Sequence, residues 1–253
     1  MIRVPKQWRL AIPALAAAVV VFGQMGSVRR ADAGARAPAG RVGSSNSATR
    51  PVPGDVRWFG RMHAEYLKQT KTRKFDLCFL GDSITQGWPG DMFAKYYGKY
   101  NAVNFGIGGD RTENVLWRLN QGELQGTSPK LVVLLIGICN TGRNTPEEIA
   151  VGVATVVKTL RVMLPQTKIL LLGLFPCKEN AARAKAEAVN QFLAKLDGKS
   201  NGMIKYLDIG SKFLDKDGKL LNDVLRDDVH PNRKGYTIWG DAVAPTIAKM
   251  MGK

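Results

Sequence analysis

Four short blocks of polar residues each come after an apolar segment or a turn. The first is Gly81–Ser83 (GDS), and the second is a glycine-rich stretch, Gly106–Thr112. The third is Gly137–Asn140 (GICN), and the fourth is Asp227–Pro231 (DDVHP). A serine, a glycine loop, a side-chain amide and an Asp-x-x-His pair are the groups that an acyl-transfer site requires. Their types and order therefore predict a serine hydrolase.

Ser83 is the expected nucleophile, because it follows an apolar segment at a strand-to-helix turn that exposes its hydroxyl. A serine hydroxyl is weak unless a neighbouring base accepts its proton. The chain has two histidines, and His63 falls in a helical stretch before the first strand, so His230 is the expected base. Asp227 precedes His230 by three residues and is expected to hold and stabilise the imidazole.

The tetrahedral intermediate of acyl transfer carries a negative charge that needs preorganised hydrogen-bond donors. We expect the backbone N–H groups of Ser83 and Gly109 to supply two of them. A side-chain amide at Asn140 is the expected third donor.

Strand-length apolar segments alternate with helical patterns from residue 56 onward. Helices are predicted from Pro146, over 181–196 and after Pro231. This alternation predicts one α/β domain of three layers, with a parallel sheet covered on both faces. In such sheets the active groups gather at the carboxyl ends of the strands. The five predicted strands cover 75–80, 101–105, 131–136, 168–173 and 203–208.

Cofactor and metal sites are not predicted. The Gly106–Gly109 stretch lacks the third glycine of a dinucleotide fingerprint, because Arg111 stands in that position. Asp215–Gly218 has the composition of a turn and lacks the further acidic ligands of a calcium loop. Two histidines and no Cys-x-x-Cys pair argue against a structural zinc site.

The formal charge of +16 is spread along the chain. Residues 1–33 carry +4 and residues 34–56 carry +2, which leaves +10 on residues 57–253. These basic residues are scattered and lack interleaved aromatic residues, so nucleic-acid binding is not predicted. A basic surface of this kind attracts anionic surfaces or acidic polysaccharides weakly.

The amino-terminal segment has the pattern of a targeting sequence. Basic residues precede an apolar run, Leu10–Phe22, which suits a signal peptide and is short for a spanning helix. We predict a signal peptide over 1–33, with an uncleaved amino-terminal anchor as the alternative. Residues 34–56 are rich in Ala, Gly, Ser, Pro and Arg and predict a flexible linker that packs against nothing. The folded domain is then 57–253 and lies outside the cytoplasm, secreted or periplasmic.

The motifs resemble those of the SGNH (GDSL) hydrolase family. Gly81–Ser83, Gly109-Asp110 and Asp227-x-x-His230 carry the resemblance, which spans roughly residues 57–253. Asn104–Thr112 is most similar to the branch around the catalytic subunits of platelet-activating-factor acetylhydrolase. The resemblance implies a flavodoxin-like α/β/α fold and a serine esterase without metal or cofactor. It also implies Ser83 as nucleophile, Gly109 as an oxyanion donor, Asp227 as the orienting acid and His230 as the base.

The third block departs from the pattern of that family, which reads Gly-x-Asn. Without a gap, Cys139 falls at the oxyanion asparagine, and Asn140 occupies the following position. Either the loop shifts so that Asn140 donates, or Cys139 supplies only a weak S–H donor. A slight preference goes to Asn140, since the catalytic serine, aspartate and histidine are all present.

The predicted function is an exported serine esterase that acts on short-chain acyl esters, with acetyl favoured. No long insertion between the blocks provides a lid, which favours an open site and a small acyl group. The expected substrate is an acetylated polysaccharide or a phospholipid. The alternative is a catalytically weakened protein of the same fold that binds carbohydrate or a surface.

Overall fold

A computed structural model describes residues 46–252 of the chain. The predicted signal peptide or anchor at 1–33 lies outside the described residues, as does the first part of the predicted linker. Within the described part, no helix has the length and apolar character needed to cross a membrane.

Five parallel strands form one sheet in the order β2-β1-β3-β4-β5, as the apolar segments predict. Every residue of β1 and of β3 is buried, since both faces of these central strands are covered. The strands are β1 (Leu77–Gly81), β2 (Ala102–Gly106), β3 (Leu131–Leu135), β4 (Lys168–Leu172) and β5 (Ile204–Leu207).

The helix predicted from Pro146 begins at residues suited to that position. Thr145 Oγ1 accepts the Glu148 N–H and Glu148 Oε2 accepts the Thr145 N–H, a capping box that starts the helix at Pro146. The three predicted helices are all present. The helices are α1 (Phe59–Thr72), α2 (Ser83–Gln86), α3 (Gly90–Tyr97), α4 (Thr112–Asn120), α5 (Pro146–Met163), α6 (Asn180–Leu193) and α7 (Arg233–Met250).

The helices cover both faces of the sheet. Helices α4, α5 and α6 pack side by side, while α3 packs against α7 on the opposite face. On that face the Phe79 ring of β1 contacts Phe93 of α3 and Trp239 of α7. The fold is therefore the expected three-layer α/β/α arrangement of flavodoxin-like type, and it brings the carboxyl ends of β1, β2 and β3 to one edge.

The prediction that the linker packs against nothing is wrong for its described part. Ala48 is fully buried, and its carbonyl accepts a hydrogen bond of 2.7 Å from Thr112 Oγ1. Asn114 Nδ2 donates to the Val52 carbonyl at 3.1 Å. Ala48 fits closely over α5, because a Cβ placed on Gly152 would lie 2.9 Å from the Ala48 carbonyl oxygen. We call the segment Asn46–Trp58 the amino-terminal strap.

Candidate active site

Ser83 is the first residue of α2 and directly follows the end of β1. Asp82 caps this short helix, with its Oδ1 accepting the Ile84 N–H at 2.9 Å. Asp82 is fully buried, and this burial raises its pKa to about 7, although the Ile84 N–H favours the ionised form. The cap holds the turn that presents Ser83 at the edge of the sheet.

Three predicted site residues meet at this edge. His230 Nε2 lies 2.7 Å from Ser83 Oγ. On the other side of the ring, His230 Nδ1 lies 2.8 Å from Asp227 Oδ2. The structure thus brings the Asp227–His230 pair to a serine 147 residues before His230, in the order hydroxyl, imidazole, carboxylate.

Asp227 is held by the backbone of the same loop. Its Oδ1 accepts the N–H groups of His230 at 2.8 Å and Val229 at 3.0 Å. Partial burial would raise the pKa of Asp227, but these N–H groups and the His230 ring lower it to about 2. Asp227 therefore stays ionised at neutral pH and orients the imidazole.

His63 lies elsewhere, as expected from its position before the first strand. It is buried in α1, where its Nδ1 is 2.9 Å from Glu123 Oε2. Its ring stacks with that of Phe59 and lies tilted against Trp117. His63 therefore belongs to the core.

The second block places Gly109 beside Ser83. Gly109 has a φ of +85°, and a Cβ at this position would lie 2.8 Å from Val56 Cγ1, so only glycine fits. The preceding N–H, of Gly108, is occupied by Gln86 Oε1 at 2.7 Å. Within residues 46–252, the N–H groups of Ser83 and Gly109 donate to no protein group. Both therefore remain available to a ligand.

Asn140 does not reach the site, which corrects the preference for it as a donor. The residue is fully buried, and its Oδ1 accepts the Thr112 N–H at 3.1 Å. Its Nδ2 donates to Glu113 Oε2 at 2.9 Å and to Asn144 Oδ1 at 3.2 Å. Both amide hydrogens are thus engaged in satisfying other buried groups, and none remains for an oxyanion.

Cys139, in the third block, lines the same cleft as Ser83 and Gly109. Burial raises the pKa of the Cys139 thiol well above its ordinary range, so the group is a neutral S–H. A neutral thiol is a weak hydrogen-bond donor.

The hydroxyl–imidazole–carboxylate chain opens into a cleft of about 550 Å³. This volume is typical of sites for small molecules. Its wall is largely apolar and comes from the strap, the first three blocks, the segment before α6 and the His230 loop. The lining residues include Val56, Trp58, Ile138, Cys177, Ala182 and Val229.

Comparison with known proteins shows similarity in sequence to hydrolases. Residues 79–238 match the sequence model of the GDSL-like Lipase/Acylhydrolase family. The chain is 36% identical over 202 residues to the platelet-activating factor acetylhydrolase IB subunit alpha2 of Rattus norvegicus, covering 77% of this chain and 87% of that protein. It is 34% identical over 204 residues to the alpha1 subunit of Homo sapiens, with coverage of 77% and 87%.

The chain belongs to the GDSL-like lipase/acylhydrolase family. It is accordingly a carboxylic ester hydrolase. The fold is also that of solved family structures. A GDSL-like lipase from Bacteroides thetaiotaomicron superposes with a TM-score of 0.58 at 19% identity, covering 74% of this chain and 97% of that chain.

A buried cation supports the catalytic edge of this acylhydrolase. The Arg118 guanidinium donates to the Phe105 carbonyl at 2.9 Å, and its Nε lies 3.1 Å from Asp110 Oδ2. A second carboxylate, that of Glu123, lies 3.2 Å from Arg118 Nη1. Burial raises the pKa of Asp110 to about 7, with Arg118 acting in the opposite direction.

Sequence reasoning missed several residues of the acylhydrolase site. Val56 falls within the predicted linker, and neither Trp58 nor Cys177 has a predicted role. Asp82 was part of the motif, without a role. A signal existed for Asp82, because Asp before a short helical run is a typical cap. The cleft positions of the other three depend on packing between distant segments.

We predict that Asn140→Ala lowers the free energy of unfolding by about 1–3 kcal/mol, because the buried Thr112 N–H and Glu113 carboxylate each lose a partner. Denaturant titration measures the change. The exposed Asn120 at the end of α4 provides a matched control, and Asn120→Ala should stay within about 0.5 kcal/mol of the parent. Unchanged stability together with a large fall in kcat would instead restore Asn140 as an oxyanion donor.

Proposed function

We propose that this acylhydrolase removes short acyl groups, chiefly acetyl, from esters outside the cytoplasm, with Ser83, His230 and Asp227 as its catalytic triad. The observation that supports the triad is the unbroken contact from Ser83 Oγ through His230 to Asp227 at the wall of the cleft. The relatives named acetylhydrolases support acetyl as the acyl group.

In this mechanism His230 Nε2 accepts the Ser83 proton while Oγ bonds to the ester carbonyl carbon. The carbonyl oxygen takes the negative charge of the tetrahedral intermediate. The His230 cation then donates its proton to the alcohol oxygen, and the bond between that oxygen and the acyl carbon breaks. Water repeats the sequence on the acyl-serine and releases the carboxylic acid.

Asp227 stabilises the imidazolium that forms in each half of the reaction. Because its pKa is about 2, the carboxylate is ionised throughout the neutral range and accepts the His230 Nδ1–H. It takes no proton itself.

Two backbone N–H groups, of Ser83 and Gly109, are the main donors to the oxyanion in this scheme. Cys139 occupies the third position and contributes a weak S–H bond at most. Removing one oxyanion donor typically costs about 10²–10³ in kcat, so this enzyme should be slower than a relative with an amide there.

The shape of the cleft supports a small acyl group. Buried Ile138 and Cys177 and the partly buried Cys139 line the inner part of this cleft of about 550 Å³. A short acyl group fits this cleft better than a long acyl chain, which requires a longer apolar channel. The proposed location outside the cytoplasm favours an acylated saccharide as the ester.

We predict that His230→Ala lowers kcat on p-nitrophenyl acetate by about 10⁶, because Ser83 loses its base. His63→Gln is the matched control, and it should keep turnover per folded molecule, since His63 contacts Glu123 in the core. A fluorophosphonate probe should label Ser83 in the parent and fail in Ser83→Ala. Equal losses in the two histidine variants would reject the triad, and an unlabelled, well-folded parent would favour the binding-protein alternative.

We predict that Cys139→Asn raises kcat about 10-fold or more, because an amide replaces a weak thiol donor at the oxyanion. Steady-state kinetics on p-nitrophenyl acetate measures the gain. Cys139→Ala serves as the control and should change kcat little, since it adds no donor. Loss of activity in Cys139→Asn with the fold intact would show that position 139 does not face the oxyanion.

We predict that the protein recovered from its native host begins near Gly34 or Ala35, because the segment before it has the pattern of a cleaved signal peptide. Mass spectrometry of the purified protein identifies the first residue. An intact Met1 in a membrane fraction, released only by detergent, would establish the anchor alternative.

A further inference from the structure

The amino-terminal strap contributes two residues to the wall of the catalytic cleft, Val56 and Trp58. Both precede residues 79–238, the part of the chain that the family's sequence model matches. The strap is therefore a feature of the site that the family motifs do not describe.

The first half of the strap is seated on α4 and α5. Asn46 Nδ2 donates to the Glu148 carbonyl at 2.9 Å, and Ser47 Oγ accepts from Asn144 Nδ2 at 2.9 Å. Asn144 is in turn bound by Asn140, so the third block and the strap share one hydrogen-bond network. These contacts hold the strap along the edge that carries the site.

In the second half of the strap, residues on both sides of Trp58 in the chain pack against the rest of the domain. Val56 contacts Gly109, where a Cβ would come within 2.8 Å of Val56 Cγ1. Phe59, the next residue after Trp58, is buried in the core, and its N–H donates to the Val56 carbonyl at 3.0 Å. The backbone of Trp58 is thus held between two packed neighbours.

Trp58 itself is 45% exposed, which is unusual for the largest apolar side chain in a well-packed segment. Its indole N–H makes no hydrogen bond to any residue of the described part of the chain. A Cβ placed on Gly108 would lie 3.7 Å from Trp58 Nε1 and 3.6 Å from Ser83 Cβ. The indole therefore flanks the nucleophile, with a glycine between them.

The rim of the cleft is exposed and carries acidic residues, whereas its interior is buried and apolar. Trp58, Glu179 and Asp228 line the exposed part, whereas Ile138 and Cys177 are buried. With the proposed acyl group in the small apolar interior beside Ser83, the alcohol portion would extend toward the rim. That portion would meet the Trp58 indole and the acidic residues Glu179 and Asp228. The Glu179 carboxylate also caps α6 by accepting the N–H groups of Ala181 and Ala182.

We propose that Trp58 is a specificity-determining residue that binds the alcohol portion of the ester, and that this portion is a sugar ring. The apolar C–H face of a sugar packs on an indole face, while its hydroxyl groups accept from the indole N–H and donate to carboxylates. A cationic alcohol would meet the same aromatic ring and carboxylates. The net charge of +10 on residues 57–253 disfavours its approach.

The test uses two substrates with the same acyl group, an acetylated xylo-oligosaccharide and ethyl acetate. In Trp58→Ala, kcat/KM on the saccharide should fall about tenfold, mainly through a higher KM, because binding of the ring is lost while the triad is intact. On ethyl acetate kcat/KM should change less than about twofold, since no ring is present. Trp58→Phe should retain most of the activity on the saccharide.

Val162→Ala on α5 is a matched control, because Val162 is an exposed apolar residue that does not line the catalytic cleft. It should leave both substrates unaffected. An equal loss on both substrates in Trp58→Ala would mean that Trp58 only supports the fold, and would overturn the proposal. With acetylcholine added as a third acetyl ester, a loss confined to that substrate would also overturn the proposal, in favour of a cationic alcohol.

This inference rests on the proposed function, and a binding measurement separates the two. Calorimetry with Ser83→Ala, which cannot form an acyl-serine, reports saccharide binding without hydrolysis. Adding Trp58→Ala to that variant should weaken binding about tenfold. Equal binding in both variants would overturn the role of Trp58, whereas the fluorophosphonate result alone decides the catalytic function.

Discussion

The buried guanidinium of Arg118 is the interaction on which the catalytic edge depends. A charge in the interior is tolerated when partners surround it, and removing one of them leaves an uncompensated charge. Here Asp110 and Glu123 supply opposite charge, and the Phe105 carbonyl accepts a hydrogen bond. Phe105 lies in β2 and Asp110 follows Gly109, so Arg118 joins the strand to the loop that carries Gly109, a proposed oxyanion donor.

The same group extends the support to α1 and the strap. Glu123, bound to Arg118, also contacts His63 Nδ1 of α1 at 2.9 Å. Tyr66 of the same helix donates its hydroxyl to the Gly106 carbonyl at 2.7 Å, at the end of β2. Helix α1 begins directly after Trp58. The catalytic edge, α1 and the end of the strap are therefore one connected structural unit, held largely by buried polar contacts.

In the third block, the Asn140 side-chain amide binds buried polar groups and is not available to the active site. The Glu113 carboxylate is almost fully buried and needs donors, and Asn140 supplies one while its carbonyl accepts from Thr112. An unsatisfied buried carboxylate costs more than a normal hydrogen bond gains. Asn140 is thereby committed to joining α4 to Asn144, which in turn binds the strap, and Ile138 and Cys139 are the side chains of this block that line the cleft.

The amino-acid sequence by itself determined the alternation of strands and helices. It also indicated Ser83, Asp227 and His230 as candidate site residues. These follow from local patterns, because apolar periodicity marks each element and parallel strands bring the residues after them to one edge. Their mutual distances then follow from the topology of the sheet.

Only the tertiary structure decided the orientation of Asn140 and Cys139, the partners of Arg118 and the packing of the strap. A shift of one residue in a short loop leaves composition and periodicity unchanged, so the sequence allowed either side chain to face the cleft. The strap has the composition of a linker, yet Ala48 packs against α5 at Gly152, about a hundred residues away. Such contacts are decided by which distant surfaces fit together, and that fit exists only once the chain has folded.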